Sequence, residues 1–177
     1  KAFEYLMGKG KENPFFAQSF ALKIHASYLQ YIAEQSGDKE EGERIVAQFK
    51  EGLEFLGVGP ATLNLVQENA HLLAFYLDRT DEAIELLERA LEIPRLKPEE
   101  WGQLKTEMAD IYIYADDPWE ATLIYSQVID GNKTNSLGDD VKLKKAKLGY
   151  YLGNFDWAKA QLDVLKASTS KLTANDA

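Results

Sequence analysis

The sequence predicts an all-α fold, a right-handed α-solenoid of antiparallel helical hairpins. Apolar residues recur at helical spacing along most of the chain, and no window alternates cleanly between apolar and polar residues as a strand would. Small residues recur at nearly constant separation, at Ala83, Ala121 and Ala158. Short polar turns with capping residues or proline separate the apolar stripes. We therefore expect paired helices that bury one face each.

The first hairpin is predicted over about residues 14–56. Residues 1–7 have the pattern of the last turns of a helix that stops at Gly8 and Gly10. Asn13–Pro14 then opens a long helix through about Gln35, because proline suits a first helical turn. A partner helix is expected from about Lys39 to Leu56, before the break at residues 57–60.

The second hairpin, residues 61–93, and the third, residues 98–130, follow the same plan. In the third, Asp117 suits an N-cap and Pro118 suits the first helical position, where no N–H is needed. Each helix of the third hairpin has one apolar stripe: Trp101, Leu104, Met108, Ile111, Tyr112 and Ala115 in the first, and Trp119, Ala121, Tyr125, Val128 and Ile129 in the second.

The fourth hairpin is predicted over residues 139–167, after a polar loop at 131–136. A further helix would begin at Leu172. We expect residues 1–177 to form a single repeat domain that belongs to a longer protein. Because stacked repeats bury apolar surface against their neighbours, we also expect an exposed apolar face at one or both ends, covered either by self-association or by the terminal segments folding back.

The paired small residues carry a resemblance to a known family. Ala109 and Ala121, with Tyr112 and Tyr125 around them, resemble the tetratricopeptide repeat (TPR), which places a small residue in each helix where the two helices cross. Steps of 38 and 37 residues between the small residues of the second helices exceed the family period of about 34, and the surplus falls in loops. The resemblance covers residues 61–168 clearly. It implies a solenoid that binds proteins.

A second resemblance concerns the stretch from Gly149 to Ala158, which is similar to larger bacterial repeat proteins of the cell envelope. The chain contains no cysteine, so it can form no disulfide, thiol nucleophile or thiolate metal site. That absence fits a periplasm and a cytoplasm equally. The resemblance favours the periplasm or cell envelope over the cytoplasm. The cysteine content does not distinguish these compartments, so the compartment stays open.

Composition argues against several classes of partner. The net charge is −9 and basic residues do not cluster, whereas a nucleic-acid surface needs concentrated lysine and arginine. Anionic membrane surfaces are disfavoured for the same reason. No apolar run approaches the roughly 18 residues of a membrane-spanning helix. We predict no nucleic-acid partner and no membrane-spanning segment.

The ionisable residues form no recognisable catalytic or metal-binding motif. His25 and His71 have no histidine or carboxylate three or four residues later, as a helical metal site needs. Residues 130–134 begin like a calcium loop but depart from it at the glycine and glutamate positions. Asp116–Asp117 and Asp139–Asp140 precede predicted helices, where aspartate caps N–H groups. We predict no cofactor, no metal and no catalysis.

With catalytic and metal sites argued against, the remaining candidate site is a surface that binds a peptide or protein. In a right-handed stack of hairpins the first helices line the concave side, so polar and aromatic residues beside their buried stripes form the predicted groove. The candidates are Asn64, Gln67 and His71 in the second hairpin, Gln103, Thr106, Asp110 and Tyr114 in the third, and Lys147 and Tyr150 in the fourth. Such a mixture suits a peptide or protein segment held by side-chain hydrogen bonds and tyrosine contacts.

Three functions are consistent with these observations. The first is a non-catalytic scaffold that binds a peptide or protein segment in the concave groove. The second is a structural repeat segment of a larger cell-envelope protein, with no separate ligand. The third is an enzyme or small-molecule binder, for which the distinguishing sign would be convergent ionisable groups in a closed pocket.

Overall fold

A computed structural model describes residues 5, 8–10, 12–34 and 37–168. The predicted helix over residues 1–7 lies outside the described residues except for Tyr5, as do Gln35 and the helix predicted to begin at Leu172. From residue 16 onward the described chain contains eight α-helices, one short 3-10 turn and no strand. The predicted all-α class is therefore confirmed.

The helices begin and end within a few residues of their predicted bounds. In chain order they are α1 Phe16–Glu34, α2 Lys39–Leu56, α3 Leu63–Leu77, α4 Thr80–Leu91, α5 Pro98–Tyr114, α6 Pro118–Gly131, α7 Ser136–Tyr151 and α8 Phe155–Ser168, with the 3-10 turn at Pro60–Thr62 before α3.

The chain divides into two compact units between Arg95 and Leu96. In unit 1, α1 packs on α2, α2 on α3 and α3 on α4, and α1 also contacts α3. In unit 2, α5 packs on α6, α6 on α7 and α7 on α8, and α5 also contacts α7. Each unit is thus two antiparallel hairpins whose first helices touch. That all residues form one domain stays a prediction.

Local capping fixes several helix starts. The Asp38 carboxylate accepts hydrogen bonds from the N–H groups of Glu40 and Glu41 ahead of α2. The predicted cap at Asp117 is present, because its carboxylate accepts from the Glu120 N–H at 3.2 Å, with Pro118 opening α6. Such caps supply partners for N–H groups that the helix itself leaves unpaired.

The start of α7 differs from the prediction. The helix begins at Ser136 instead of Asp139, because the Asn135 side chain accepts a hydrogen bond from the Gly138 N–H at 3.0 Å and so provides the cap earlier. Gly138 is packed so closely that an added Cβ would lie 1.9 Å from the Asn132 carbonyl oxygen. A glycine is therefore required there by space.

The small residues predicted to lie at the helix crossings are buried. Ala121 is fully buried, and so are the small residues of the first helices at Ala70, Ala109 and Ala146. Their lack of side-chain bulk lets helix backbones approach, so larger residues such as Tyr125 and Phe49 fill the surrounding space. The core of each unit follows most of the apolar stripe residues, but two of the predicted stripe residues are exposed. Trp119 is 75% exposed and Ala115 is also exposed, because both flank the turn between α5 and α6.

Candidate functional site

The predicted groove residues of unit 1 lie on α3. Asn64 is exposed, whereas Gln67 and His71 are half-buried. The His71 ring contacts three aromatic rings, with its centroid 4.6 Å from that of Phe75 and 6.2 Å from that of Tyr28 on α1. His71 is therefore a packing residue between first helices as well as a partly exposed one.

A histidine and a glutamate join α1 to α3 beside this cluster. His25 Nδ1 lies 2.6 Å from Glu68 Oε1. Burial raises the pKa of Glu68, and the contact with His25 opposes that rise without cancelling it. Among the described residues, Glu68 Oε2 is buried with no hydrogen-bond partner. The ionised form of Glu68 is therefore less stable in the fold than an exposed carboxylate would be.

In unit 2 the predicted groove residues lie on α5 and α7, the two first helices. Gln103 and Tyr114 are exposed on α5, and Lys147 and Tyr150 are exposed on α7. Thr106 differs, because its side chain is buried and its hydroxyl donates to the Gly102 carbonyl oxygen at 2.8 Å. The exposed surface therefore combines two tyrosine rings, an amide and an ammonium group.

Asp110 is half-buried and connects three helices of unit 2. Its carboxylate accepts hydrogen bonds from the Tyr125 hydroxyl on α6 and from the Lys144 ammonium group on α7. Burial, reinforced by the charge of Asp110, raises the pKa of Tyr125 far above its usual value of 10.0. The phenol stays protonated and donates. Asp110 therefore links the first helices α5 and α7 to each other and to α6.

Exposed aromatic residues continue this surface past the end of α7. The Tyr150 ring lies 5.8 Å from that of Tyr151 and 5.2 Å from that of Phe155, both in edge-on arrangements. All three side chains are more than half exposed. Aromatic groups with one apolar face and a polar edge are common where proteins contact partners.

Each unit also has a cleft on the side of its second helices, which the sequence did not predict. In unit 1 a cleft of about 810 Å³ lies between α2 and α4. In unit 2 a smaller cleft of about 380 Å³ is lined by Trp119, Lys145 and Trp157, with the Lys145 ammonium nitrogen 5.7 Å from the Trp157 ring centroid.

Neither a metal-binding cluster nor a membrane-spanning helix occurs in the part of the chain that the structure covers. There, no three histidine or acidic side chains lie close enough together to hold a metal ion. In the same residues, no helix combines the length and the apolar character needed to cross a membrane.

Antiparallel hairpins with small residues at their crossings define a TPR-like helical repeat fold, and solved structures bear this out. The chain is similar to a protein of Podosopora anserina assigned to the kinesin light chains, described as having nearly identical TPR-like repeats. The identity is 17%, the TM-score is 0.61, and the match covers 83% of this chain and 75% of that one. A single-substitution variant of the same protein matches with a TM-score of 0.62, the same identity, and coverage of 83% and 74%.

No family model matches the chain, and no curated protein matches it in sequence. The structural likeness shows the fold, so the predicted TPR resemblance is confirmed at that level. Helical solenoids present extended concave binding surfaces, and the fold alone does not determine function. The resemblance to cell-envelope proteins stays a prediction.

Proposed function

We propose that this protein is a non-catalytic scaffold that binds a peptide or protein segment on the surface formed by its first helices. The observation that carries the proposal is the exposed surface of α5 and α7, where Gln103, Tyr114, Lys147 and Tyr150 project beside buried apolar stripes. Rings that are already ordered by helices lose little conformational entropy when a partner covers them.

The rigidity of this surface supports the proposal. The Lys144 ammonium group on α7 donates to the Asp110 carboxylate on α5, so a hydrogen bond connects the two first helices in the unbound protein. The Tyr125 hydroxyl on α6 donates to the same carboxylate. A preorganised surface spends less free energy on ordering when it binds. The amide of Gln103 and the ammonium group of Lys147 would hydrogen-bond to the backbone and acidic groups of the segment, and the tyrosines would contact its apolar side chains.

The test selects peptides from a random library displayed on phage, using the whole chain as bait. Selected peptides are synthesised, and their Kd is measured for wild type and for the Tyr114→Ala, Tyr150→Ala double variant. We expect at least about tenfold weaker binding to the double variant, because truncation of central aromatic residues commonly costs more than 1.4 kcal/mol.

Leu123→Ala is the matched control, because Leu123 is an exposed apolar residue on α6, a second helix. It should bind the peptides as wild type does. If the library yields no binder, or if every binder tolerates the double variant, the scaffold proposal in this form is wrong and the alternative of a structural segment without its own ligand gains support. Location in the cell envelope is part of that alternative and stays a prediction.

A further inference from the structure

Asn69 is a buried polar residue whose hydrogen-bonding capacity is unfilled. It lies on α3 with 6% of its surface exposed. Among the described residues no donor reaches its Oδ1 atom. A buried oxygen without a partner destabilises a fold, so most such atoms in native proteins are paired. Asn69 therefore requires an explanation other than stability.

The repeats of this chain provide a comparison for that position. Asn69 immediately precedes the small residue Ala70, as Met108 precedes Ala109 and Lys145 precedes Ala146. Met108 is buried and apolar. Lys145 is polar but satisfied, since its ammonium group donates to the Ser126 hydroxyl at 2.8 Å. Asn69 alone of these three combines burial with an unmet acceptor.

Asn69 lines the cleft of about 810 Å³ between α2 and α4. Its apolar lining includes Val46 and Leu53 of α2, Leu73 of α3, Leu86 of α4 and Ile93, which lies two residues past the end of α4. The volume falls in the range of about 300–1,000 Å³ in which proteins bind ligands. An apolar side chain placed there would cover these residues.

Charge at the rim of the cleft favours a basic occupant. Four carboxylates line it, from Glu54, Glu82, Glu85 and Glu92, against three basic groups, from Lys50, Arg79 and Arg89. The Arg79 guanidinium pairs with Glu82 and with Glu43, the latter outside the cleft. Of the other charged groups that line the cleft, three are carboxylates, from Glu54, Glu85 and Glu92, and two are basic, from Lys50 and Arg89. The whole chain carries a net charge of −9, which attracts basic partners from a distance.

We propose that the cleft between α2 and α4 binds a basic peptide segment, which inserts an apolar side chain and donates a backbone N–H to Asn69. The Asn69 Oδ1 atom has less than 1 Å² of accessible surface, so the amide must turn about its last bond before a peptide N–H can donate to the oxygen. This site lies on the second helices, so it is additional to the surface of α5 and α7.

The experiment separates the two surfaces by the choice of bait. A random peptide library is selected on the whole chain carrying Tyr114→Ala and Tyr150→Ala, which removes binders of the first-helix surface. We expect enriched peptides with an apolar residue flanked by lysine or arginine. Enriched peptides that are acidic, or the absence of enrichment, would overturn the proposal without bearing on the other surface.

Asn69→Leu then distinguishes a binding residue from a structural one. Leucine has nearly the same size and leaves no oxygen unpaired, so the variant should melt at a higher temperature than wild type while binding the enriched peptides at least about tenfold more weakly. Gln161→Leu is the control, because Gln161 is exposed on α8 and does not line the cleft, so this variant should bind the peptides as wild type does.

A second variant tests the charge argument independently. Glu85→Lys changes an exposed rim residue, so it should leave the melting temperature nearly unchanged and weaken binding of the basic peptides several-fold, most strongly at low salt. Undiminished binding to Asn69→Leu, or to Glu85→Lys at low salt, contradicts the proposal.

Discussion

At the scale of single residues, the Glu68 carboxyl group is one whose ionisation the fold opposes. Burial raises its pKa above the ordinary value of 4.5. Between that value and the raised pKa, the folded chain binds more protons than the unfolded chain does. The contribution of Glu68 to the free energy of unfolding therefore decreases as pH rises through this window.

The prediction is that Glu68→Gln stabilises the protein relative to wild type at pH values above the raised pKa. The gain should shrink as pH falls towards 4.5, because Glu68 in the folded wild type is then largely protonated and neutral, like the glutamine of the variant. Urea unfolding at a series of pH values measures it. Glu88→Gln, at an exposed position of α4, is the matched control for the loss of a carboxylate charge. A gain for Glu68→Gln that is independent of pH would contradict this account.

Tyr125 provides a second test at this scale. Its hydroxyl donates to the Asp110 carboxylate, a hydrogen bond to a charged group inside unit 2. Tyr125→Phe should lower the free energy of unfolding by about 1.5–3 kcal/mol. The exposed ring of Tyr150 offers a comparison, and Tyr150→Phe should change stability by less than about 0.5 kcal/mol. Equal effects would mean that the buried hydrogen bond contributes nothing.

These two residues show what the sequence could reveal about single positions. The apolar stripe predicted that Tyr125 would be buried, and it is. Its partner was not predictable, because Asp110, Tyr125 and Lys144 lie on three different helices and meet only through tertiary packing. Likewise, helical spacing could not distinguish Thr106, which turns its hydroxyl to its own helix, from an exposed groove residue.

At the scale of helices, the cap of α6 tests whether local sequence sets the element. Asp117→Ala removes the acceptor for the Glu120 N–H and should lower the free energy of unfolding by about 0.5–2 kcal/mol. Asp117→Asn keeps an oxygen in the same place and should restore most of that loss. Thermal melts measure both variants. An asparagine variant as unstable as the alanine variant would show that the charge, not the cap, matters.

The hairpin crossing of α5 and α6 is a second test at this scale. Ala121 is fully buried between helices, so Ala121→Leu should overpack the crossing and lower the free energy of unfolding by about 1–3 kcal/mol. Ala160 is exposed on α8, and Ala160→Leu should be nearly neutral. Denaturant unfolding compares the two. A neutral result for Ala121→Leu would mean that the helices are not in close contact there.

The helices were predictable because capping and apolar spacing agree along most of the chain. Pro98 and Pro118 mark the observed starts of α5 and α6 directly. The predicted start of α7 at Asp139 lies three residues too late, because Asn135 and the aspartates at 139 and 140 are all good capping residues. The hydrogen bond from the Gly138 N–H to Asn135 shows which of them caps the helix. The clefts could not be predicted, since they depend on how second helices diverge after packing on α3 and α7.

At the scale of the whole molecule, the sequence prediction of self-association can be tested directly. Phe15 precedes α1 and Phe155 begins α8, and both rings are more than half exposed. Apolar surface of this kind favours association between copies. We expect the sedimentation coefficient to increase with concentration and Phe155→Ser to reduce that increase. A monomer at every concentration would contradict the prediction.

The central claim is that a TPR-like repeat fold presents its first helices to a peptide partner. The most direct measurement maps amide chemical shifts of the isotope-labelled chain on addition of a peptide selected with Asn69→Leu as bait, which leaves the cleft of unit 1 out of the selection. We expect the largest shifts on α5 and α7, around Gln103, Tyr114 and Tyr150. Shifts confined to α6 and α8, or none at saturating peptide, would contradict it.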